Sequence, residues 1–372
     1  MTPTPPNSRP VVYRYADPLD VIWIACAARV GYRVERSREV YASTDGRGTL
    51  LIGTDDILDA DDSLAQMILH ELCHALIEGE GGEALADWGL DNTSNRHLSR
   101  ERACLRLQAY LAGSFGLRDF MAPTTDFRVT FWNSLPADPF AAPEISGGRR
   151  EASCVAARIG AWRAAQARWA EPLAEALQAT ADIANRVAKA RARPVPSRLG
   201  DPGNAAASLP PLWDTSTEPS PLHPAGHAAI AGYHPGHGCA DCAWSFVARR
   251  HRRCRHAPAV ALPDSAPACV RWEAAEQLDC RTCGACCREA YQAVEIAASE
   301  LVNRKHPELV EQRATHRRLK RAGERCAALC GGETPAADYG CQIYPSRPRS
   351  CREFERGGEH CLDARRRVGL SL

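Results

Sequence analysis

The stretch Cys280-Arg281-Thr282-Cys283-Gly284-Ala285-Cys286-Cys287 places four thiols within eight residues of a 372-residue chain. A glycine lies between them, where the backbone has to turn tightly if the thiols are to converge. Of the 17 cysteines, 13 lie at or after Cys239. Thiols clustered at such short spacings are typical of metal sites, so the sequence predicts a C-terminal third that is organised by bound metal.

Charge and apolar content restrict the partners of the chain. The formal net charge is +1 and 45% of the residues are hydrophobic. This charge balance gives no general attraction to nucleic acid, and no apolar run has the length of a signal peptide or a membrane span. We therefore expect no nucleic-acid partner, no membrane partner and a cytoplasmic location, where clustered thiols bind metal more often than they form disulfides.

Composition divides the chain into five parts: a disordered leader (1–10), a metal domain (11–190), a Pro/Ala/His linker (191–237), a four-cysteine knuckle (238–275) and a cysteine-cluster domain (276–372). The predicted fold class is α+β. The metal domain should be a small sheet with helices around one active helix. The cysteine-rich part should be helical and irregular, and stabilised by metal rather than by a large core. The linker would permit contact between the two parts without requiring it.

Apolar periodicity predicts the elements of the metal domain. A helix is expected from Pro18 to Val30, with strands at 32–34, 40–42 and 49–52. Asp61, Asp62 and Ser63 offer N-cap chemistry for a helix over 64–78, and a further helix should cover 101–112. In the Ala/Arg-rich segment 151–193, one helical stripe is predicted to face the core: Val155, Ile159, Trp162, Gln166 and Trp169.

The helix over 64–78 carries the pattern His70-Glu71-Leu72-Cys73-His74. Histidines four residues apart lie on one helical face and can share one metal ion. Glu71 is the candidate catalytic base, because in such sites it accepts a proton from metal-bound water. A third ligand is needed, and the candidates are Glu83, Asp87, Asp91, His97 and Glu101. Glu101 is preferred because it begins the next predicted helix.

The runs LHELCHALIEG (69–79) and ADWG (86–89) resemble the elongation factor P hydroxylase family. The resemblance implies a non-haem iron site with His70, His74 and Glu101 as ligands and with Asp87 in support. It also implies hydroxylation of a protein side chain, with a translation-factor-like substrate. The chain departs from the family at Gly81 and Gly82, where the family has basic residues, so the substrate is not carried over.

The donor set alone does not choose the metal at this site. Two histidines and a carboxylate suit catalytic zinc and oxygen-activating iron alike. Zinc would give a zincin-like hydrolase with Glu71 as base. Iron would give an oxidoreductase that needs a supply of electrons.

Upstream of the opening stretch, a Cys-x-x-Cys turn and two later thiols can complete a tetrahedral site: Cys239, Cys242, Cys254 and Cys269. A four-cysteine zinc knuckle is the first interpretation, and an iron–sulfur cluster is the second.

The final module resembles the YkgJ-type cysteine-cluster family of zinc- or iron-chelating domains. It has the CxxCGxCC box at 280–287 and the RPxxCRxF box at 347–354 in the same order. The resemblance implies ligands among Cys283, Cys286, Cys287, Cys341 and Cys351, extended by Cys280, Cys326 and Cys361, and it omits Cys330. More than four thiols indicates more than one zinc ion, or an iron–sulfur cluster. Arg347 and Arg352 are expected to offset thiolate charge.

Three hypotheses follow from these two centres. The first is an iron-dependent oxidoreductase that hydroxylates a protein, with the cysteine module delivering electrons. The second is a zinc metallohydrolase, peptidase-like, with a zinc-binding docking tail. The third is a metal chelator without enzymatic activity.

Overall fold

The structure, a computed structural model, describes residues 15–91, 95–141, 151–191, 223–226, 236–288, 290–332 and 337–372. The predicted leader and most of the predicted linker, residues 192–222 and 227–235, lie outside this part of the chain. Helices and strands both occur, which confirms the α+β class. Among the described residues, no helix is long and apolar enough to cross a bilayer.

Residues 15–191 form helices packed on a small sheet. The helices are α1 (Pro18–Arg29), α2 (Leu64–Glu83), α3 (Leu98–Gly113), α4 (Phe127–Thr130), α5 (Ala152–Ala164) and α6 (Ala170–Arg191). The strands are β1 (Arg33–Ser37), β2 (Ala42–Thr44) and β3 (Thr49–Gly53). The order is β1-β3-β2, with β1 parallel and β2 antiparallel to β3. Leu50 and Ile52 of β3 are fully buried in the core that α2 shares with its neighbours.

Helix α2 is the centre of this core. Its first turn has a capping box in which Ser63 and Gln66 exchange side-chain-to-backbone hydrogen bonds, so the N-cap prediction at Ser63 is confirmed. Leu69, Leu72 and Leu76 are fully buried on successive turns. A helix that is buried on most of its circumference has little freedom to shift, and it therefore fixes the histidines that it carries.

The predicted end of α2 is instead a break inside the helix. Gly79 has φ 67° and ψ −168°, and the chain resumes helical geometry as far as Glu83. The guanidinium of Arg163 donates to the carbonyl oxygens of Leu76 (2.6 Å) and Ile77 (2.8 Å). These bonds satisfy acceptors that the break leaves without intrahelical partners.

The predicted core stripe over 155–169 is wrong for four of its five residues. Val155, Ile159, Trp162 and Gln166 are exposed, and only Trp169 is buried. The face of α5 that meets the core carries small residues instead: Ala156, Ala157, Gly160 and Ala164. A Cβ on Gly160 would stand 2.8 Å from Ile77 and Leu107, so α5 approaches α2 and α3 too closely for large side chains.

The cysteine-rich part has more strands than the sequence predicts. The strands are β4 (Ser245–Ala248), β5 (His251–Cys254), β6 (Ala257–Leu262), β7 (Glu295–Ile296), β8 (Val310–Gln312), β9 (Arg317–Leu319), β10 (Arg321–Ala322), β11 (Arg325–Cys326), β12 (Leu329–Cys330) and β13 (Gly340–Cys341). The helices are α7 (Cys280–Cys283), α8 (Leu301–Lys305), α9 (Arg349–Arg352) and α10 (Glu359–Arg367). The larger sheets, β4-β5-β6 and β7-β9-β8, are antiparallel.

The C-terminal tail packs on helix α3. Buried Arg102 of α3 donates to the Gly369 carbonyl oxygen at 2.9 Å. Leu98, the first residue of α3, packs against an apolar cluster that includes Ala285, Ala364 and Val368. The two parts that the linker joins are therefore in direct contact.

Gly79→Ala should lower the free energy of unfolding by about 1–3 kcal/mol, because its backbone conformation is one that L-residues rarely adopt. A new Cβ would also stand 2.7 Å from the Arg163 guanidinium carbon. The matched control is Gly113→Ala at the end of α3, where a Cβ meets nothing within 4 Å. Urea unfolding followed by circular dichroism should show the first loss and no loss in the control. Equal effects of the two substitutions would contradict the role of Gly79.

Candidate metal centres

Helices α2 and α3 bring two imidazoles and one carboxylate together. His70 Nε2 and His74 Nε2 lie 3.2 Å apart. Glu101 Oε1 lies 3.6 Å from His70 Nε2, and Glu101 Oε2 lies 3.2 Å from His74 Nε2. His74 is buried, whereas His70 and Glu101 are partly exposed, so the group is accessible from one side.

These separations match a shared coordination sphere. Ligand atoms at about 2.0–2.1 Å from one ion, with ligand–metal–ligand angles between octahedral and tetrahedral values, stand about 2.9–3.4 Å apart. The nitrogen–nitrogen distance and the His74–Glu101 distance fall within that range. The donor set therefore fits one divalent ion, and the expected chemistry of two histidines and one carboxylate is that of zinc or iron(II).

Electrostatics hold Glu101 as a carboxylate. Burial acts to raise its pKa, but the charge of His70 and the hydrogen bond from His74 outweigh it and lower the pKa to about 2. Burial likewise opposes the charged form of His74, yet the hydrogen bond to Glu101 leaves the pKa of His74 raised. The lowered pKa of Glu101 and the raised pKa of His74 show that positive charge is stabilised at this site, and a metal ion would supply such a charge.

One neighbouring side chain, that of Gln108, orients this group. Gln108 is buried on α3, seven residues after Glu101, and its Oε1 lies 3.0 Å from His70 Nδ1. Its amide nitrogen donates to the Met121 carbonyl oxygen at 2.6 Å. This contact fixes the His70 ring with Nε2 directed away from Gln108, as an outer hydrogen bond does for metal-binding imidazoles.

Glu71, the candidate catalytic base, is buried. Its Oε2 accepts a hydrogen bond of 2.8 Å from the Trp88 indole nitrogen. Asp87 and Trp88 both have positive φ, and this tight turn brings the indole to Glu71. Asp87 itself accepts hydrogen bonds from Ser43 Oγ (2.6 Å) and the Thr44 amide, so these contacts tie it to β2 rather than to the histidines.

The other candidates for the third ligand have different partners. Glu83 binds the Tyr32 hydroxyl (2.7 Å) and Arg168 (2.8 Å). His97 Nδ1 accepts the backbone amide of Asp91.

Cys104 also lies near the histidines, at 3.7 Å from His70 Nδ1. Glu101 lies near the Nε2 atoms of both rings, whereas Cys104 Sγ lies near Nδ1 of His70. Burial, followed by a hydrogen bond with Cys73, raises the pKa of the Cys104 thiol well above its usual value. The two carboxylate oxygens of Glu101 lie near the Nε2 atoms of both histidines, so Glu101 is the better third donor.

The four thiols of the predicted knuckle surround a β-hairpin. Cys239 and Cys242 precede β4, Cys254 ends β5, and Cys269 follows β6. Burial, followed by the charges of the other three thiolates, raises the pKa of Cys239 to about 12. Thiolates so close together repel one another unless a cation offsets their charge.

His223 is a further donor at this knuckle that the sequence does not single out. Its Nε2 lies 3.2 Å from Cys239 Sγ, and the residue is buried. Nothing in its spacing from Cys239 distinguishes it from the other histidines of the linker, because the fold alone brings it to the hairpin.

Eight thiols of the final module line a single cavity of about 950 Å³: Cys280, Cys283, Cys286, Cys287, Cys326, Cys341, Cys351 and Cys361. Arg347 and Arg352 belong to the same wall. Cys330 is not in this lining, and its Sγ lies against Gly340.

Three arginines supply positive charge to these thiols. Arg347 lowers the pKa of Cys341, although burial leaves it raised overall. Two others are missed by the motif: Arg321, which acts on Cys287 and Cys326, and Arg365, which interacts with Cys283. Neither lies in a cysteine box, and only tertiary packing brings them to the thiols.

Residues 279–367 match a family model described as "Putative zinc- or iron-chelating domain". This confirms the resemblance predicted for the C-terminal module. No curated protein and no solved structure matches the chain. A zinc- or iron-chelating cysteine domain is thus supported for these residues, and the histidine site has to be argued from its geometry.

Metal removal should unfold the cysteine-rich part selectively. Its apolar clusters are small, whereas α1, α2, α3, α5 and α6 share one large core. After chelation under reducing conditions, we expect amide hydrogen exchange to accelerate in β4–β13 while α2 stays protected, because bound metal contributes folding free energy to such modules. Unchanged protection in β4–β13 after complete metal removal would contradict this.

Gln108→Leu should weaken metal binding at the histidine site by roughly 10–100-fold, because it removes the contact that orients His70. The exposed Gln178→Leu on α6 is the matched control and should bind metal like the unaltered chain. The measurement is competition with a chelator for the metal that is lost in His74→Ala. Equal affinity in the two glutamine variants would show that the Gln108 contact does not support the site.

Proposed function

We propose that the chain is an iron-dependent oxidoreductase in which His70, His74 and Glu101 hold the catalytic iron. The convergence of their ligand atoms within 3.2–3.6 Å carries this proposal. Iron(II) in a two-histidine, one-carboxylate site keeps open positions and supplies oxygen activation. The resemblance of the 69–116 region to protein hydroxylases supports a protein side chain as the substrate class.

The contact between the two parts of the molecule supports a redox role for the cysteine domain. Helix α7, which begins and ends with thiol residues, packs against the turn Asn95–His97 that precedes α3. Cys283 and Cys286 share an apolar cluster with Leu98. Leu98 is three residues before Glu101, about 4.5 Å of helical rise. Electrons from an iron–sulfur cluster at these thiols would have a short packed path to the histidine site.

The contacts of Glu71 favour this proposal over a zinc hydrolase. A general base has to reach the water that it deprotonates. Glu71 is buried and accepts a hydrogen bond from Trp88, which gives it a positioning role between α2 and the turn at 86–89. A reaction that needs no carboxylate base beside the metal is therefore the better fit.

His74→Ala should remove the iron of the histidine site and abolish reductant-dependent oxygen uptake, with thiol-bound metal unchanged. The chain is purified without oxygen, and iron, zinc and acid-labile sulfide are measured beside oxygen uptake with a chemical reductant. His316→Ala, on an exposed histidine, is the control and should retain both iron and uptake.

Two outcomes would overturn the oxidoreductase proposal. Zinc at the histidine site, with chelator-sensitive peptidase activity lost in Glu71→Gln while metal is retained, would make the protein a metallohydrolase. Metal at both centres without oxygen uptake or hydrolysis would make it a chelator.

A further inference from the structure

The eight thiols that line the cavity exceed what one tetrahedral ion needs, because four thiolates complete such a site. They come from three separate segments of the chain. Cys280, Cys283, Cys286 and Cys287 belong to α7 and the turn after it, and the others arrive from 326–351 and from α10. How the fold divides them determines what the module can bind.

Apolar packing separates five of the eight thiols, and the boundary falls between the adjacent residues Cys286 and Cys287. Cys287, Cys326 and Cys341 pack in a cluster built on residues of β7, α8 and β9: Ile296, Val302 and Leu319. The backbone supports this neighbourhood, because the Cys326 amide donates to the Cys287 carbonyl oxygen at 2.8 Å.

Cys286 belongs to a different cluster. It packs with Cys283 against residues of the C-terminal tail: Ala364, Val368 and Leu370. The Sγ atoms of Cys286 and Cys287 are 3.9 Å apart, so two consecutive thiols face different surroundings while remaining neighbours.

The remaining thiols are placed by the elements that carry them. Cys351 lies on α9, which packs against β7, and it interacts electrostatically with Cys287, Cys326 and Cys341. Cys280 and Cys283 begin and end α7, and Cys280 also interacts with Cys361, which packs beside the knuckle thiols Cys239 and Cys242. The strongest interaction of Cys286 is with Cys287, across the division, and it also interacts with Cys280 and Cys283.

We propose that the module holds two separate four-thiol metal sites. The first thiol set is Cys280, Cys283, Cys286 and Cys361, and the second thiol set is Cys287, Cys326, Cys341 and Cys351. The peptide bond between Cys286 and Cys287 joins them, and Cys330 belongs to neither. This inference rests on the proposed function only in taking the thiols as metal ligands, and it holds for zinc ions and for iron–sulfur clusters alike.

Each set has its own positive charge. Arg365 of α10 interacts with Cys283 in the first set. Arg321 acts on Cys287 and Cys326, and Arg347 acts on Cys341, in the second set. Four thiolates around one divalent ion leave a net charge of about −2, so separate arginines are what two neighbouring anionic sites require.

The test compares Cys361→Ser, Cys351→Ser and the double variant in the full chain, with Cys330→Ser as the matched control. Bound metal per chain is measured after purification without oxygen. Each single variant should lose one ion or one cluster, the double variant should lose two, and the control should lose none. A double variant that loses no more metal than either single variant would establish one shared centre and overturn the proposal. Loss in Cys330→Ser equal to that in Cys351→Ser would also overturn it.

A second measurement needs no variant and therefore does not depend on how a variant folds. The unaltered chain is loaded with ¹¹³Cd and its tetrathiolate resonances are counted. Two sites in this module and one in the knuckle predict three resonances in that region, whereas resonances split by cadmium–cadmium coupling would indicate a thiolate-bridged cluster and contradict the division. Neither the metal content nor the number of cadmium resonances depends on oxygen uptake. A result against two separate thiol sites can therefore be distinguished from a result against the oxidoreductase proposal.

Discussion

The packing of helix α3 between the histidine helix and the C-terminal tail is the contact on which both metal regions depend. One side of α3 directs Glu101 and Gln108 toward His70 and His74. Its buried arginines bind the rest of the molecule, because Arg102 donates to Gly369 and Arg106 binds Glu151 at 2.9 Å. An unpaired buried guanidinium would cost several kcal/mol, so these partners are needed for α3 to remain in place.

The second constraint on the structure is that side chains of the same type lie close together at both sites. Two imidazole nitrogens at 3.2 Å, and several thiols around one cavity, are arrangements that a folded chain tolerates when a cation lies among them. In the histidine site the negative charge of Glu101 offsets part of the positive charge that the imidazoles can carry. This interaction lowers the pKa of Glu101 to about 2 despite its burial. In the thiol module burial and mutual repulsion raise the pKa values of thiols such as Cys280 and Cys351, so a metal has to displace their protons as it binds.

The parts that the sequence predicts well are those set by local spacing. Histidines four residues apart on a capped apolar helix can only share a face, and a glutamate that begins the next helix can be directed back at them. Gln108 was within reach of the same reasoning, because it lies seven residues after Glu101 on one helical face. The buried face of α5 could not be predicted in this way. Hydrophobicity points to Trp162 as a core residue, but α5 approaches α2 so closely that only small residues such as Ala157 and Gly160 fit. His223 and Arg365 meet thiols only through tertiary contacts, which no spacing reveals.

The histidine site and the thiol module differ in how they are stabilised. The histidine site lies in a core that would persist without metal, so its ligands are already arranged before an ion arrives. The thiol module has small apolar clusters, and we expect it to depend on its metal for order. Because α7 and the tail pack against the beginning of α3, the thiol module is in direct contact with the helix that carries Glu101. The proposed oxidoreductase would use this contact, because it needs iron at the histidine site and electrons from the thiol module.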